Sequence, residues 1–202
     1  MKFRAMSLVM ATCAALLCGQ GFAQSPRPVP TRGELVAVDA TSLTVRLPAG
    51  DTVKIAVKPE LVVGALRNLA LADIKPGSFI GTATKTTPDG KLVAMEVYVF
   101  PEASRGTGEG HYEWNLAPGS MMTNANVDTV ATGVDGRILN LSFKGGSKEV
   151  TVPEGVPIVT PAPATRADLV VGKRVFIMAT GDPSSLSAAR VTVEKDGVVP
   201  PM

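Results

Sequence analysis

The chain has 202 residues, with 20 Lys and Arg against 18 Asp and Glu and a formal net charge of +2. Two of the basic residues, Lys2 and Arg4, sit in an N-terminal leader; without them the charges balance, which argues against the basic stripe a nucleic-acid partner requires. Both cysteines, Cys13 and Cys18, also lie in that leader, so the rest of the chain has no thiol and no disulfide, and its core must hold by packing alone.

Residues 1–23 read as a signal peptide. Lys2 and Arg4 precede an apolar run from Met6 to Leu17, and Gly21-Phe22-Ala23 places small residues where a signal peptidase cuts. This predicts a periplasmic or secreted protein beginning near Gln24, and no later apolar run approaches the roughly 18 residues needed to span a membrane. Residues 24–32, with Pro26, Pro28 and Pro30, read as an extended, proline-rich leader.

The remainder is written twice. Asp73-Ile74-Lys75-Pro76-Gly77-Ser78-Phe79-Ile80 returns about 95 residues later as Asp168-Leu169-Val170-Val171-Gly172-Lys173-Arg174-Val175. Leu43–Leu47 recurs as Leu139–Phe143, and Ala94–Val99 as Ala188–Val193. Within 33–99 the pattern alternates as strands do: Leu43, Val45 and Leu47 on one face; Val53, Ile55 and Val57 on one face; Val93, Met95, Val97 and Val99 on one face. Glu60–Asp73, apolar at Leu61, Ala65, Leu69 and Ala72, predicts a short helix in this copy. In the second copy, 127–196, Pro153, Pro157, Pro161 and Pro163 predict a looped crossover in its place, before a tail at 197–202. The order of strands predicts a mainly β protein of two tandem OB-like five-stranded barrels arising by internal duplication. Each barrel is small enough that the two should pack together.

Residues 100–126 belong to neither copy, and they hold the only His, the only Trp and a Met-Met pair. Glu109, His111 and Glu113 alternate, which puts them on one side of an extended chain with Tyr112 and Trp114 on the other. Such a set could hold zinc, yet same-side neighbours on a strand stand about 7 Å apart and converge on one ion only through a bend. The alternative is an amphipathic strand whose aromatics pack between the barrels. No nucleophile elbow, paired-His metalloprotease motif or partnered histidine points to an enzyme.

The paired runs Asp73, Gly77, Leu92, Ala94, Val97 and Asp168, Leu169, Gly172, Leu186, Val191 resemble the repeat units of a bacterial family of uncharacterised exported β-barrel domains. The stretch from Phe100 through His111 and Trp114 to Ala125 is similar to proteins often labelled metal transporter permeases, a role that would need several membrane-spanning helices. His111, Trp114, Met121 and Met122 are also similar in type, though not in spacing, to the residues of periplasmic copper(I) chaperones, in which imidazole and thioether hold the ion and an indole covers it. That resemblance implies copper(I) or silver(I). The expectation is therefore a non-enzymatic exported binding or scaffold protein with an envelope partner and no cofactor. The alternative is a periplasmic metal-binding accessory using His111, Met121, Met122, Trp114, Glu109 and Glu113.

Overall fold

The computed structural model describes residues 28–133 and 136–200; the expected signal peptide at 1–23, the leader up to residue 27 and the last two residues of the expected tail lie outside the described residues. The fold is built almost wholly from twelve strands: β1 (Val29–Val38), β2 (Ser42–Arg46), β3 (Thr52–Asn68), β4 (Phe79–Thr86), β5 (Leu92–Val99), β6 (Gly110–Trp114), β7 (Ser120–Gly133), β8 (Gly136–Phe143), β9 (Gly146–Val152), β10 (Ile158–Pro163), β11 (Arg174–Ala179) and β12 (Ser187–Val193). The proline-rich leader therefore ends earlier than its composition suggests, because Val29–Arg32 already pair with Phe176–Ala179.

β1, β2 and β3 form an antiparallel meander, and β11 and β12 close it into a five-stranded barrel: β11 lies antiparallel to β1, and β12 lies parallel to β3. A second circuit runs β5–β4–β7–β8–β9 and closes through a short parallel contact of Leu92 and Val93 with Val150 and Thr151. The barrel therefore does not coincide with residues 33–99, nor the second circuit with 127–196. Each half of the chain contributes three strands to one ring and lends its final hairpin to the other.

The segment expected to be helical causes this exchange. Glu60–Asn68 continues β3, a strand of 17 residues, and only Leu71–Asp73 makes a single 3-10 turn. Leu61 and Ala65 are four residues apart, a spacing that puts them on one face of a strand as well as of a helix. Val62, Val63 and Gly64 then favour the extended form, and the backbone finds partners on both sides in β10 and β12. At about 3.3 Å per residue, an extended segment carries the chain more than twice as far as a helix would. It leaves the first ring and delivers β4–β5 to the second. The expected looped crossover is likewise a strand, β10, antiparallel to β3 and parallel to β5, so it stitches the rings together. Its Pro161 and Pro163 fall beyond the two residues paired with β5, where no amide is required on that side.

The strongest repeat in the sequence is the linker ahead of each lent hairpin. Asp73 and Asp168 accept from the backbone N–H of Ala70 (2.9 Å) and Thr165 (2.8 Å), closing equivalent 3-10 turns. Gly77 and Gly172 follow at φ 87° and 92°, a turn conformation that suits glycine. Gly77 and Ser78 then bond to the backbone of Val127 on β7, while Gly172 and Lys173 bond to that of Leu35 on β1, each time reaching the opposite half.

Two apolar cores result, one around Leu35, Leu43, Val45, Ile55, Ile177 and Val191, the other around Ile80, Val97, Val127, Leu139, Leu141 and Val150. In β5 a bulge at Met95 breaks the expected alternation: Ala94 and Val97 both point to the core, and Glu96 to the outside of the ring. Ile177, fully buried and supplied from the far end of the sequence, fills the core of the N-terminal meander. Ile177→Ala is expected to cost about 2–4 kcal/mol in urea unfolding, with β1–β3 lost in the same transition as β11–β12.

Candidate functional site

The outer face of the second circuit is laid against the first ring, and the insert roofs the join. Across that face Glu96 stands opposite Ala83, Ala83 opposite Met122, and Met122 opposite Tyr112, so β5, β4, β7 and β6 present one continuous row. On the first ring Arg32 of β1 pairs with Phe176 of β11. The Arg32 guanidinium lies against two mutually tilted aromatic rings, 5.1 Å from the centre of Phe176 and 5.4 Å from that of Trp114. Its Nη1 donates to Asn115 Oδ1 at 2.6 Å, and Asn115 Nδ2 donates to the Pro30 carbonyl at 3.1 Å, tying the insert to β1.

Every buried side-chain nitrogen or oxygen without a partner among the described residues lies on these three side chains: Arg32 Nε and Nη2, Glu96 Oε1 and Oε2, and Trp114 Nε1. Glu96 is 1% exposed. Burial pushes its carboxyl up to about 8, against the opposing attraction of Arg32, and burial lowers the Arg32 guanidinium against the attraction of Glu96. Near neutral pH the Glu96 carboxyl is mainly protonated, and Arg32 is left without an ion pair among the described residues. The insert is anchored at its other end by Arg105, which bonds Glu102, Asn126 and the Gly77 carbonyl.

The proposed metal ligands are divided by the strand they stand on. His111 is opposite Thr123 and Glu113 opposite Met121, so His111, Glu113 and Met121 share one face; Trp114 and Met122 occupy the other. Adjacent Met121 and Met122 lie within a regular stretch of β7, past the Pro118-Gly119 turn that might have brought both sulfurs to one point. Glu109 is engaged elsewhere, accepting from the Lys144 N–H at 2.8 Å. His111 Nδ1 is 2.8 Å from Thr123 Oγ1 and its ring stacks on Phe143 at 6.4 Å; burial, then Lys148, lowers its pKa. Among the described residues no three His, Cys, Asp or Glu side chains gather as a metal site. Tyr112 and Trp114 meet at 6.3 Å, and Trp114 meets Phe176 at 6.5 Å, placing the indole at the join of the rings.

Each ring opens into a groove. In the first, the β2–β3 turn (Leu47, Pro48, Ala49) faces the β11–β12 turn (Pro183, Leu186), with Val29–Arg32, Asn115 and Leu116 as walls, around about 540 Å³. In the second, the start of β9 (Ser147, Lys148, Glu149) faces the end of β4 and the β4–β5 turn (Thr86, Gly90, Lys91), with His111 as a wall, around about 480 Å³. The first groove is largely apolar and the second more polar. The sequence did not single out Glu96 or Arg32; the available signal was a lone acid within the apolar run Val93–Val99.

Because the folded Glu96 holds its proton far more tightly than an ordinary glutamate, folding favours the protonated form. Its contribution to stability is fully present below about pH 4.5 and is lost as pH rises to about 8. Glu96→Gln should flatten that part of the stability profile and be more stable than the parent at pH 9 by chemical denaturation; an unchanged profile would mean that Glu96 is not buried as described.

Compared with protein families, curated proteins and solved structures, the chain matches none, so its own geometry must carry the functional argument.

Proposed function

We propose that this is an exported, non-enzymatic binding protein of the periplasm or cell envelope, built from two OB-like rings that arose by duplication and act as a rigid pair of recognition mouths. The observation that carries the reading is the pair of grooves, one on each ring, apolar at Leu47, Ala49 and Leu186 and polar at His111, Ser147 and Lys148. Two grooves, one on each ring and lined with different chemistry, suit recognition of two ligands, or of two parts of one. Both volumes fall in the range of small-molecule pockets, about 300–1,000 Å³. The export reading rests on the leader at 1–23, and the duplication on the repeated linkers and their equivalent hydrogen bonds.

The experiment is photo-crosslinking in the envelope of a producing cell, with a benzophenone amino acid at Ala49, at Ser147, or at Glu154 on a turn outside both grooves; all three positions are exposed. Discrete adducts from Ala49 and Ser147 but not from Glu154 are expected. Equal labelling from all three, or chemical conversion of a captured molecule, would contradict a binding function.

A further inference from the structure

We infer that the groove of the first ring binds a free medium- or long-chain aliphatic carboxylate, its hydrocarbon along Leu47, Val53 and Leu186 and its head on Arg32 beside Asn115. This rests on the binding reading above and names its ligand class. Arg32 is the single charged residue lining an otherwise largely apolar groove. It makes no ion pair among the described residues; its Nε and Nη2 have no partner but are sealed from solvent, so Nη1, at its exposed bond to Asn115, is the nitrogen a head group would meet. Glu96, the one acid that acts on it, is shut away with both oxygens unpaired rather than bonded to the guanidinium. A cation without an ion pair in the wall of an apolar trough matches an anion with an apolar body.

The partner that Arg32 does have is replaceable. Asn115 is exposed, and its neutral amide oxygen accepts from Nη1 at 2.6 Å. A carboxylate is the stronger acceptor at that position, and the displaced amide can turn to water. A hydrocarbon body suits the trough better than a peptide does, because a peptide would bring backbone amides that need partners and the walls offer few. One isolated cation also adds little to attraction by an anionic membrane, about 1 kcal/mol.

Titration calorimetry and Trp114 emission on the chain beginning at Gln24 test this with decanoate, decanol and acetate. Decanoate should bind saturably, decanol about tenfold more weakly, and acetate not measurably. Arg32→Gln should reduce decanoate to the level of decanol, and Ala49→Glu should weaken both. If Arg32→Gln disturbs the join of the rings, Asn115→Asp, at an exposed position, serves instead: it neutralises Arg32 in place and should weaken decanoate about tenfold while sparing decanol. Equal affinity for decanoate and decanol, insensitivity to Ala49→Glu, or displacement of decanoate by a peptide with a free apolar C-terminus at lower concentration would each overturn the inference. No alkyl binding together with intact crosslinking from Ala49 would sink the ligand class alone; silence in both would sink the binding reading as well.

Discussion

The parallel pairing of β12 with β3 is the contact on which the architecture depends. It joins residues 187–192 to residues 56–64, and without it the order β12–β11–β1–β2–β3 is an unclosed sheet whose β3 and β12 edges lose each other as partners. The same holds in reverse for β5 and β9, where two residue pairs complete the second circuit. Neither ring can finish its core from its own half of the chain. Stability is therefore shared, and two small cores without disulfides behave as one larger one. Such non-local closure also implies slow folding, since most ring contacts must wait for distant segments to meet.

Exchange of hairpins also places a polar cluster at the join. Arg32 arrives on β1, Glu96 on the lent β5 and Trp114 on the insert, and their unpaired atoms collect where the two outer faces meet. A well-packed apolar contact would be more stable there, because a buried carboxyl without partners carries a desolvation cost of about 1–3 kcal/mol. Its persistence beside a groove, with Arg32 belonging to both, is a pattern common to sites that hold something. The tilted pair of Phe176 and Trp114 rings keeps the guanidinium in place without neutralising it.

Strand content was legible because alternation survives in Leu43–Leu47 and Val53–Val57, whereas in Ala188–Val193 a bulge at Ala189 turns both Ala188 and Val191 to the core. The exchange was not. A sequence pattern that repeats is compatible with closure within a half or across halves, and local periodicity is the same in both. Glu60–Asp73 misled because a four-residue apolar spacing fits either secondary structure, and only β10, from the other half, decides between them. The bulge at Met95 likewise has no local signature, although it sets which of Ala94–Val97 reach the core. At the insert, strand alternation correctly put Tyr112 and Trp114 together and His111 apart from them. Residue type alone suggested metal ligands, and the pleat sends Trp114 and Met122 to the face opposite His111, Glu113 and Met121.

Crosslinking resolves the central point. In the chain beginning at Gln24, which has no other cysteine, Val62→Cys with Arg190→Cys puts two thiols on directly paired, exposed positions of β3 and β12. Neighbouring strands stand about 4.8 Å apart, within reach of a disulfide. Glu96 occupies the place in the first copy that Arg190 holds in the second, so Val62→Cys with Glu96→Cys reports closure within one half. The account predicts rapid intramolecular oxidation of the 62–190 pair and none of the 62–96 pair; the opposite outcome would contradict the exchange of hairpins.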